Sequence, residues 1–402
     1  MKPSCFFFVV LVTPLVGLLL GACEPIQVDI LLGHQQPPQG TPPPDAGLPP
    51  DGGIPDAGPL PQGPPDAGPC MQTQAVEGDG IGTTFTFDSQ AIGHFAISHF
   101  ATSKDWKLYV GSTRPGDVPI PAGDLLGYPG SLVVDSEGTR HLLFTHSDLT
   151  SASYYSNDRG GTWQQRIEVV RESYPVDLKV DASGFAHAIF SPSRDGKRGL
   201  AYATNLTGPW VVTDLGIRPR NGRADLTLDA QGNAHIAYLI DSSGMYYATN
   251  ASGAWVFELA AEVDGNEPVI AIAPLGPPHL LYSVGGVSGE HAVKQDGRWT
   301  VTPVGAAHGI AIDLVVDKAG NLHALLDSPN PRLSHATLAA GSRTWSTSPL
   351  LNFSVPDGES YLVDGVLGVD AAGKAHVGFR YNVASDTEGI AGTFFRYAQP
   401  CP

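Results

Sequence analysis

Short stretches of alternating apolar and polar residues, separated by turns, cover most of the chain after residue 80. Ala224–Leu259 shows the pattern in full, with stretches at residues 225–228, 234–240, 245–249 and 255–259. Turn-forming residues such as Gly, Asp, Asn and Ser lie between them. Alternation with a period of two, interrupted by turn residues, predicts four short antiparallel strands rather than helices.

This unit recurs seven times, and each copy is marked by a turn before its second predicted strand. In the marker an Asp is followed three residues later by Gly and after three more by His. Five copies are complete: Asp135–Gly138–His141, Asp181–Gly184–His187, Asp229–Gly232–His235, Asp317–Gly320–His323 and Asp370–Gly373–His376. Two are degenerate: Asp88 and His94 with Ala91 in the Gly position, and Gly276 and His279 with Ala273 in the Asp position. Gly suits a turn residue with positive φ, and Asp accepts hydrogen bonds from nearby backbone amides.

Tryptophans recur in step with these turns, at intervals of 47, 45, 44 and 46 residues: Trp163, Trp210, Trp255, Trp299 and Trp345. A four-stranded unit repeated at this period predicts the blades of a β-propeller. The seventh copy has predicted strands at 366–369, 375–381 and 393–398 but no fourth strand before Pro402. Met71–Val76 can supply that strand and so remove an open sheet edge. We therefore predict an all-β fold for residues 70–402, a seven-bladed β-propeller of four-stranded blades whose ring is closed by an N-terminal strand.

The first 22 residues predict an export signal. Phe6–Leu20 is an apolar run of about 15 residues, shorter than the roughly 20 that a membrane-spanning helix needs. It ends in Leu20-Gly21-Ala22-Cys23, which resembles the lipobox of bacterial lipoproteins. The resemblance implies cleavage before Cys23, acylation of its thiol and new amino group, and a membrane partner reached through that lipid. Glu24, in place of the Asp that retains such proteins in the inner membrane, favours the outer membrane. The alternative is an ordinary secretory signal followed by a chance cysteine.

Residues 23–69 predict a disordered tether. They are rich in Pro, Gly and acidic residues, and the sequence Pro-Asp-Ala-Gly occurs three times, from Pro44, Pro55 and Pro65. Without an apolar period, nothing in this segment offsets the entropy cost of ordering it. Frequent proline favours extended conformations, so the segment is expected to act as a spacer between lipid and propeller.

The cysteines support the predicted ring closure. The chain has four, of which Cys5 belongs to the signal and Cys23 to the lipidation site. Cys70 precedes the predicted strand at 71–76, and Cys401 follows the third predicted strand of the seventh copy. In the other copies a tight turn joins the third strand to the fourth at this point. In an oxidising envelope compartment we expect these two to form a disulfide.

The formal net charge of −17 argues against nucleic acid as a partner, because such binding requires basic patches. The repeated histidines raise the possibility of a metal site, but each belongs to a different blade, whereas metal ligands converge within about 2.3 Å of one ion. We therefore expect His94, His141, His187, His235, His279, His323 and His376 to be structural partners of their turns. No phosphate loop, zinc motif or nucleophile elbow is present, so no metal, cofactor or catalytic residue is predicted.

Residues 156–163, Ser-Asn-Asp-Arg-Gly-Gly-Thr-Trp, match the Asp box, Ser-x-Asp-x-Gly-x-Thr-Trp, and the chain therefore resembles sialidase-like (BNR-type) propellers. Eroded versions begin at Thr204 and Thr249. The resemblance implies that the box lies in the turn between the third and fourth strands, away from the active site. The resemblance also implies which residues a catalytic site would use: three arginines, a Tyr with a Glu partner and an Asp. Sialidases carry an Arg-Ile-Pro motif as well. That motif is missing, and the first arginine is Arg114, late in the first copy.

Tyr154, Tyr202 and Tyr247 recur at what we take as one position of the third strand, so we interpret them as packing residues. The favoured function is non-catalytic binding of a glycan or protein ligand at the cell envelope. A first alternative is a glycoside hydrolase or lyase with a site built from loops, which we place at Thr102–Asp105, Ser191–Lys197 and Asn382–Gly389. A second alternative is a structural member of an envelope complex.

The end of the apolar run predicts that Cys23 carries the lipid. Metabolic labelling with a clickable fatty acid is expected to mark the wild-type protein and not the Cys23→Ser variant. Equal labelling of both proteins would show that the lipid is elsewhere or that the labelling is non-specific.

Overall fold

A computed structural model describes residues 71–75, 83–102, 105–146, 151–194, 197–240, 243–273, 276–285, 288–304, 309–328, 333–351, 359–384 and 392–400. These residues form 29 strands and two short 3-10 turns, Arg159–Gly161 and Arg220–Gly222, with no α-helix among them. No helix in the described part of the chain is therefore long and apolar enough to cross a membrane.

The strands form seven antiparallel sheets, which we number along the chain. Sheet 1 consists of β2 (Thr83–Phe87), β3 (Gly93–Thr102), β4 (Asp105–Ser112) and β5 (Ile120–Leu126). Sheet 2 consists of β6 (Tyr128–Val134), β7 (Arg140–Thr145), β8 (Ser153–Asn157) and β9 (Ile167–Val170). Sheet 3 consists of β10 (Ser173–Val180), β11 (Ala186–Arg194), β13 (Leu200–Thr204) and β14 (Val211–Ile217), and the short β12 (Lys197–Arg198) also pairs with β11.

Sheets 4 to 7 have the same meander order. Sheet 4 consists of β15 (Ala224–Leu228), β16 (Ala234–Ile240), β17 (Gly244–Thr249) and β18 (Val256–Ala261), and sheet 5 of β19 (Gly265–Ile272), β20 (Pro278–Val284), β21 (Ser288–Gln295) and β22 (Arg298–Pro303). Sheet 6 consists of β23 (Ile310–Val316), β24 (Leu322–Asp327), β25 (Leu333–Leu338) and β26 (Ser346–Leu351). Sheet 7 consists of β27 (Glu359–Val369), β28 (Ala375–Ala384), β29 (Gly392–Pro400) and β1 (Met71–Ala75).

The first strand of each sheet is the innermost strand of a ring. These strands contact one another in cyclic order, β2, β6, β10, β15, β19, β23 and β27, with β27 returning to β2. The fold is therefore the predicted all-β, seven-bladed propeller of four-stranded blades. The four strands predicted within Ala224–Leu259 correspond to β15 to β18, with boundaries that differ by no more than two residues.

The hydrophobic core lies between neighbouring sheets. Ile189 and Leu200 of sheet 3 pack in one cluster with Leu226, Ile236 and Tyr238 of sheet 4. The four aliphatic side chains are fully buried and Tyr238 is nearly so. Because complete burial of one such side chain stabilises a fold by roughly 1.5–3 kcal/mol, these contacts hold adjacent blades face to face.

The last sheet takes its outer strand from the other end of the described chain. β1 pairs antiparallel with β29, in a register that runs from Met71 opposite Pro400 to Ala75 opposite Arg396. The aromatic rings of Phe85 and Phe87 in sheet 1 lie against Gly378 and Gly368 of sheet 7. Sheets 1 and 7 are therefore neighbours, and the fourth strand of sheet 7 precedes sheet 1 in the sequence.

The disulfide between Cys70 and Cys401 stays a prediction from the sequence, because both cysteines lie outside the described residues. Mass spectrometry of the exported protein is expected to find the two cysteines cross-linked. Cys401→Ser is expected to reduce stability by up to about 5 kcal/mol in the chain-entropy account. Alkylation of both thiols without prior reduction would show that the bond does not form.

Candidate functional site

The repeated turns place each Asp against the His of its own blade. In six blades the Nε2 atom of the His lies close to Asp Oδ2: 3.1 Å for His94–Asp88 and His141–Asp135, 3.2 Å for His235–Asp229 and His323–Asp317, 3.4 Å for His376–Asp370 and 3.6 Å for His187–Asp181. The other carboxylate oxygen closes the turn. In blade 4, Asp229 Oδ1 accepts hydrogen bonds from the backbone N–H groups of Gln231 and Asn233, at 2.9 and 2.8 Å.

The second nitrogen of the repeated His bonds an aromatic residue on the third strand. His141 Nδ1 lies 2.7 Å from the Tyr155 hydroxyl, and His187 and His235 lie 2.5 Å from those of Tyr202 and Tyr247. The packing position in sheet 2 is therefore Tyr155, and the prediction of Tyr154 was wrong by one residue. Tyr154 points to the other face of its strand and stacks on Phe144.

In sheets 5 and 6 a second histidine takes the place of the tyrosine. His279 Nδ1 lies 2.9 Å from His291 Nε2, and His323 Nδ1 lies 3.0 Å from His335 Nε2. In both pairs the two rings are nearly parallel, with centroids 5.2 Å apart. Burial lowers the pKa of His291 to about 3 and that of His279 and His335 to about 4.

The repeated tryptophans join neighbouring sheets at this same position. Four of the five pack edge-on against an aromatic ring of the preceding sheet, with centroids 5.1–5.3 Å apart: Trp210 on Tyr155, Trp255 on Tyr202, Trp299 on Tyr247 and Trp345 on His291. Within the described residues no three His, Cys, Asp or Glu side chains are placed to hold a metal ion. A structural role for the seven histidines remains a prediction, and the contacts to turns and aromatic rings support it.

Residues 156–163, which match the Asp-box pattern, run from the end of β8 into the connection to β9. Asp158 accepts a hydrogen bond from the backbone N–H of Arg140 at 2.6 Å and forms an ion pair with its guanidinium at 2.7 Å. In the eroded boxes, Asn205 and Asn250 accept the corresponding backbone bonds, at 2.7 and 2.8 Å. The box therefore ties the third turn of a blade to the start of its second strand.

Three carboxyl groups and one lysine lie on the innermost strands: Asp177 and Lys179 on β10, Asp225 on β15 and Asp313 on β23. We call this group the central cluster. Lys179 Nζ lies 2.6 Å from Asp177 Oδ2, and it feels the charges of Asp225 and Asp313 as well. The central cluster was not predicted from the sequence. Each of its three Asp residues lies ten residues before the His of its blade, but other blades have a different residue at that position, such as Ser131 and Val269.

Each carboxyl group of the central cluster fastens its blade to the next one. Asp177, Asp225 and Asp313 accept hydrogen bonds from the backbone N–H groups of Leu226, Ile270 and Leu367, at 3.1, 2.7 and 2.7 Å. These donors lie on the innermost strand of the following sheet. Side chains therefore satisfy backbone groups that have no partner strand at the centre of the ring.

Burial and mutual charge shift the pKa values of the groups in this cluster. Burial, followed by the charge of Asp177, raises the pKa of Asp225 well above its ordinary value, and the two carboxyl groups share a hydrogen bond. Burial likewise raises the pKa of Asp313. Burial by itself lowers the pKa of Lys179, but the negative charges of the neighbouring carboxylates, above all that of Asp177, have the larger effect and raise it. Asp225 therefore holds a proton more strongly than an ordinary carboxyl group does, and it lies beside the Asp177–Lys179 ion pair.

The loops predicted for an enzymatic site lie at the other end of the sheets from the Asp turns. Thr102–Asp105 connects β3 to β4, and Ser191–Lys197 spans the end of β11 and the start of β12. Asn382–Gly389 begins in β28, and its residues after 384 lie outside the described ranges. The structure does not bring these hairpins into contact with the central cluster by any hydrogen bond or ion pair that the described residues show.

No known protein family matches the sequence, and no curated protein matches it. Solved structures do share the fold. The polysaccharide lyase Uly1 aligns with a TM-score of 0.50 at 12% identity, over 79% of this chain and 90% of that one. A virginiamycin B lyase from Staphylococcus aureus aligns with a TM-score of 0.53 at 10% identity, over 83% and 99%. A NanB sialidase variant from Streptococcus pneumoniae reaches only 0.41 at 11% identity, over 79% and 68%, which is too low to support an argument. These likenesses show a β-propeller and nothing about its chemistry.

The histidine pairs predict loss of stability in acid. An unfolded histidine has a pKa near 6.5, whereas His279, His291 and His335 titrate near 4, 3 and 4 when folded. The contribution of these neutral histidines to the free energy of unfolding is present above about pH 6.5 and is lost as pH falls towards 4. Over that range only the unfolded chain takes up protons at these residues. The double variant His291→Tyr/His335→Tyr, which restores the tyrosine of sheets 2 to 4, is expected to lose less melting temperature than the wild type between about pH 7 and pH 5.

A reciprocal variant serves as control. Tyr247→His creates a third histidine pair in sheet 4 and is expected to steepen the same pH dependence. Identical slopes of melting temperature against pH for all three proteins would contradict the assignment to the paired imidazoles.

Proposed function

We propose that the protein is an exported, lipid-anchored β-propeller that binds a glycan or protein ligand at the cell envelope without transforming it. One observation carries the proposal. The acidic groups at the centre of the ring, where a propeller would assemble a catalytic site, are already engaged with backbone N–H groups of the next blade.

Both oxygens of these side chains have partners. Asp313 Oδ1 accepts from the backbone N–H of Leu314 at 2.8 Å while its Oδ2 accepts from Leu367. Asp225 accepts in the same way from Leu226 and Ile270. A glycosidase needs two carboxyl groups free to face the scissile bond, one as acid and one as base or nucleophile. Carboxyl groups that hold blades together are poorly suited to that task, and this favours binding.

A hydrolase or lyase remains the second candidate because of Asp225. A neutral carboxylic acid beside a carboxylate is the arrangement that general acid catalysis uses. In that case Asp225 would donate the proton and Asp177, oriented by Lys179, would act as the base. The third possibility, a structural member of an envelope complex, predicts a stable protein partner and no affinity for glycans.

The proposed location rests on sequence alone, because residues 1–70 lie outside the described part of the chain. A lipid on Cys23 and a Pro-rich tether over residues 23–69 would place the propeller away from the membrane surface. Thirty or more extended residues at roughly 3 Å each allow a separation of up to about 100 Å. A ligand in the surrounding polysaccharide or on a neighbouring protein would then be within reach.

Asp225→Asn separates binding from catalysis. The amide oxygen can still accept from the Ile270 N–H, so we expect a small fall in melting temperature and unchanged ligand binding. The full mature protein is expected to bind on a glycan array or to a defined envelope protein, and to release no product from chromogenic glycosides or polysaccharides. Product release that disappears in Asp225→Asn at unchanged melting temperature would establish the enzyme instead.

A further inference from the structure

An exposed arginine and tyrosine surface lies at the end of sheets 3 and 4 opposite the Asp turns. The Arg198 guanidinium lies over the Tyr174 ring, 5.2 Å from its centroid, and 3.5 Å from the backbone carbonyl oxygen of Asn221. The tyrosine is 43% exposed, and Arg218 and Arg223 lie exposed in the adjoining connection. We call Tyr174, Arg198, Arg218, Asn221 and Arg223 the platform.

The platform has a fixed shape. A Cβ atom at Gly222 would lie 2.5 Å from Ser191 Oγ and 3.1 Å from Arg198 Cδ, so the connection packs tightly against the stem of Arg198. Asn221 has a φ of 53°, a backbone conformation that non-glycine residues seldom adopt and that is retained where the surroundings require it. The Ser191 hydroxyl beneath is 1% exposed and has no hydrogen-bond partner among the described residues.

Two arginines of the platform, Arg198 and Arg218, form no ion pair among the described residues. Other arginines at this end of the sheets are paired, Arg171 with Glu168 at 2.5 Å and Arg220 with Asp264 at 2.7 Å. In a chain whose net charge is −17, an unpaired cationic surface attracts anions against the general field of the protein.

We propose that the platform binds a polysaccharide whose sugar rings carry carboxylate groups. This proposal rests on the proposed binding function and specifies its ligand. The planar guanidinium of Arg198 can bind a carboxylate in bidentate fashion, and Arg218 adds a second charge. The exposed ring of Tyr174 offers a flat apolar surface to the apolar face of a sugar ring, which an acidic peptide does not need. A charged, ring-bearing polymer uses all three side chains.

The platform is also placed where a polymer could meet the ring centre. Tyr174 and Asp177 lie on the same strand, three residues apart, which is about 10 Å along the strand. Arg223 directly precedes β15, which carries Asp225. A chain held on the platform would therefore lie near the beginnings of β10 and β15, the strands that carry Asp177 and Asp225.

Calorimetry with oligogalacturonate tests the proposal on the full mature protein. We expect saturable binding that weakens as salt concentration rises, since exposed charges are screened. Arg198→Met/Arg218→Met keeps the apolar stems and is expected to weaken binding at least tenfold. Tyr174→Leu is expected to weaken it several-fold with little change in salt dependence. If the double variant unfolds, Arg218→Met alone provides the test, because Arg218 is exposed and has no ion-pair partner among the described residues.

The matched control is Arg298→Met/Arg343→Met, which removes two exposed charges at the opposite end of the sheets. It is expected to change the affinity less than twofold. Equal affinity for polyglutamate, with no effect of Tyr174→Leu, would overturn the sugar assignment. Binding of neutral maltoheptaose that the platform variants leave unchanged would overturn this proposal and leave the binding function standing. Turnover of oligogalacturonate would overturn the non-catalytic function, while platform variants that raise its KM would still support the platform as its binding surface.

Discussion

The unpaired inner edge of each sheet is the constraint on which the rest of this structure depends. Seven innermost strands face the centre of the ring, and their backbone N–H groups have no further strand to bond. Carboxylates of Asp177, Asp225 and Asp313 reach across to these donors on the following blade. Leaving such a buried donor unsatisfied costs about 1–3 kcal/mol. The same bonds that stabilise the ring also gather acidic groups at its centre, where burial, followed by the charge of Asp177, raises the pKa of Asp225.

Further out, a second set of contacts repeats with the blades. The turn Asp orients the His, the His bonds an aromatic residue on the third strand, and a Trp from another blade packs on that aromatic residue. His235, Tyr247 and Trp299 form one such series. Burial lowers the pKa of His235, with Asp229 acting against that shift. The neutral ring can then donate at one nitrogen and accept at the other, which is what the two contacts require.

The sequence was sufficient to predict the repeated parts of the fold. The Asp, Gly and His markers have fixed spacing, so the blades, their turns and their strands follow from local chemistry. The assignment of Tyr154 failed because two tyrosines are adjacent there, and a shift of one residue moves a side chain to the other face of a strand. The central cluster escaped notice because only some blades carry Asp at that position. The platform was also not predictable, since Tyr174, Arg198 and Asn221 are brought together only when β10, β12 and the β14–β15 connection become neighbours.

The pairing of β1 with β29 has a consequence for how the chain reaches its native state. Residues 71–75 and 392–400 come from opposite ends of the propeller sequence, so sheet 7 can be completed only after nearly all of the propeller has been synthesised. Six blades can form by local hairpins, which are fast to assemble, whereas this one contact spans more than 300 residues and carries the largest loss of chain entropy. Until it forms, β29 presents an open edge to any other extended strand nearby. Folding of sheet 7 therefore depends on competition between this distant intramolecular strand and extended strands of other molecules.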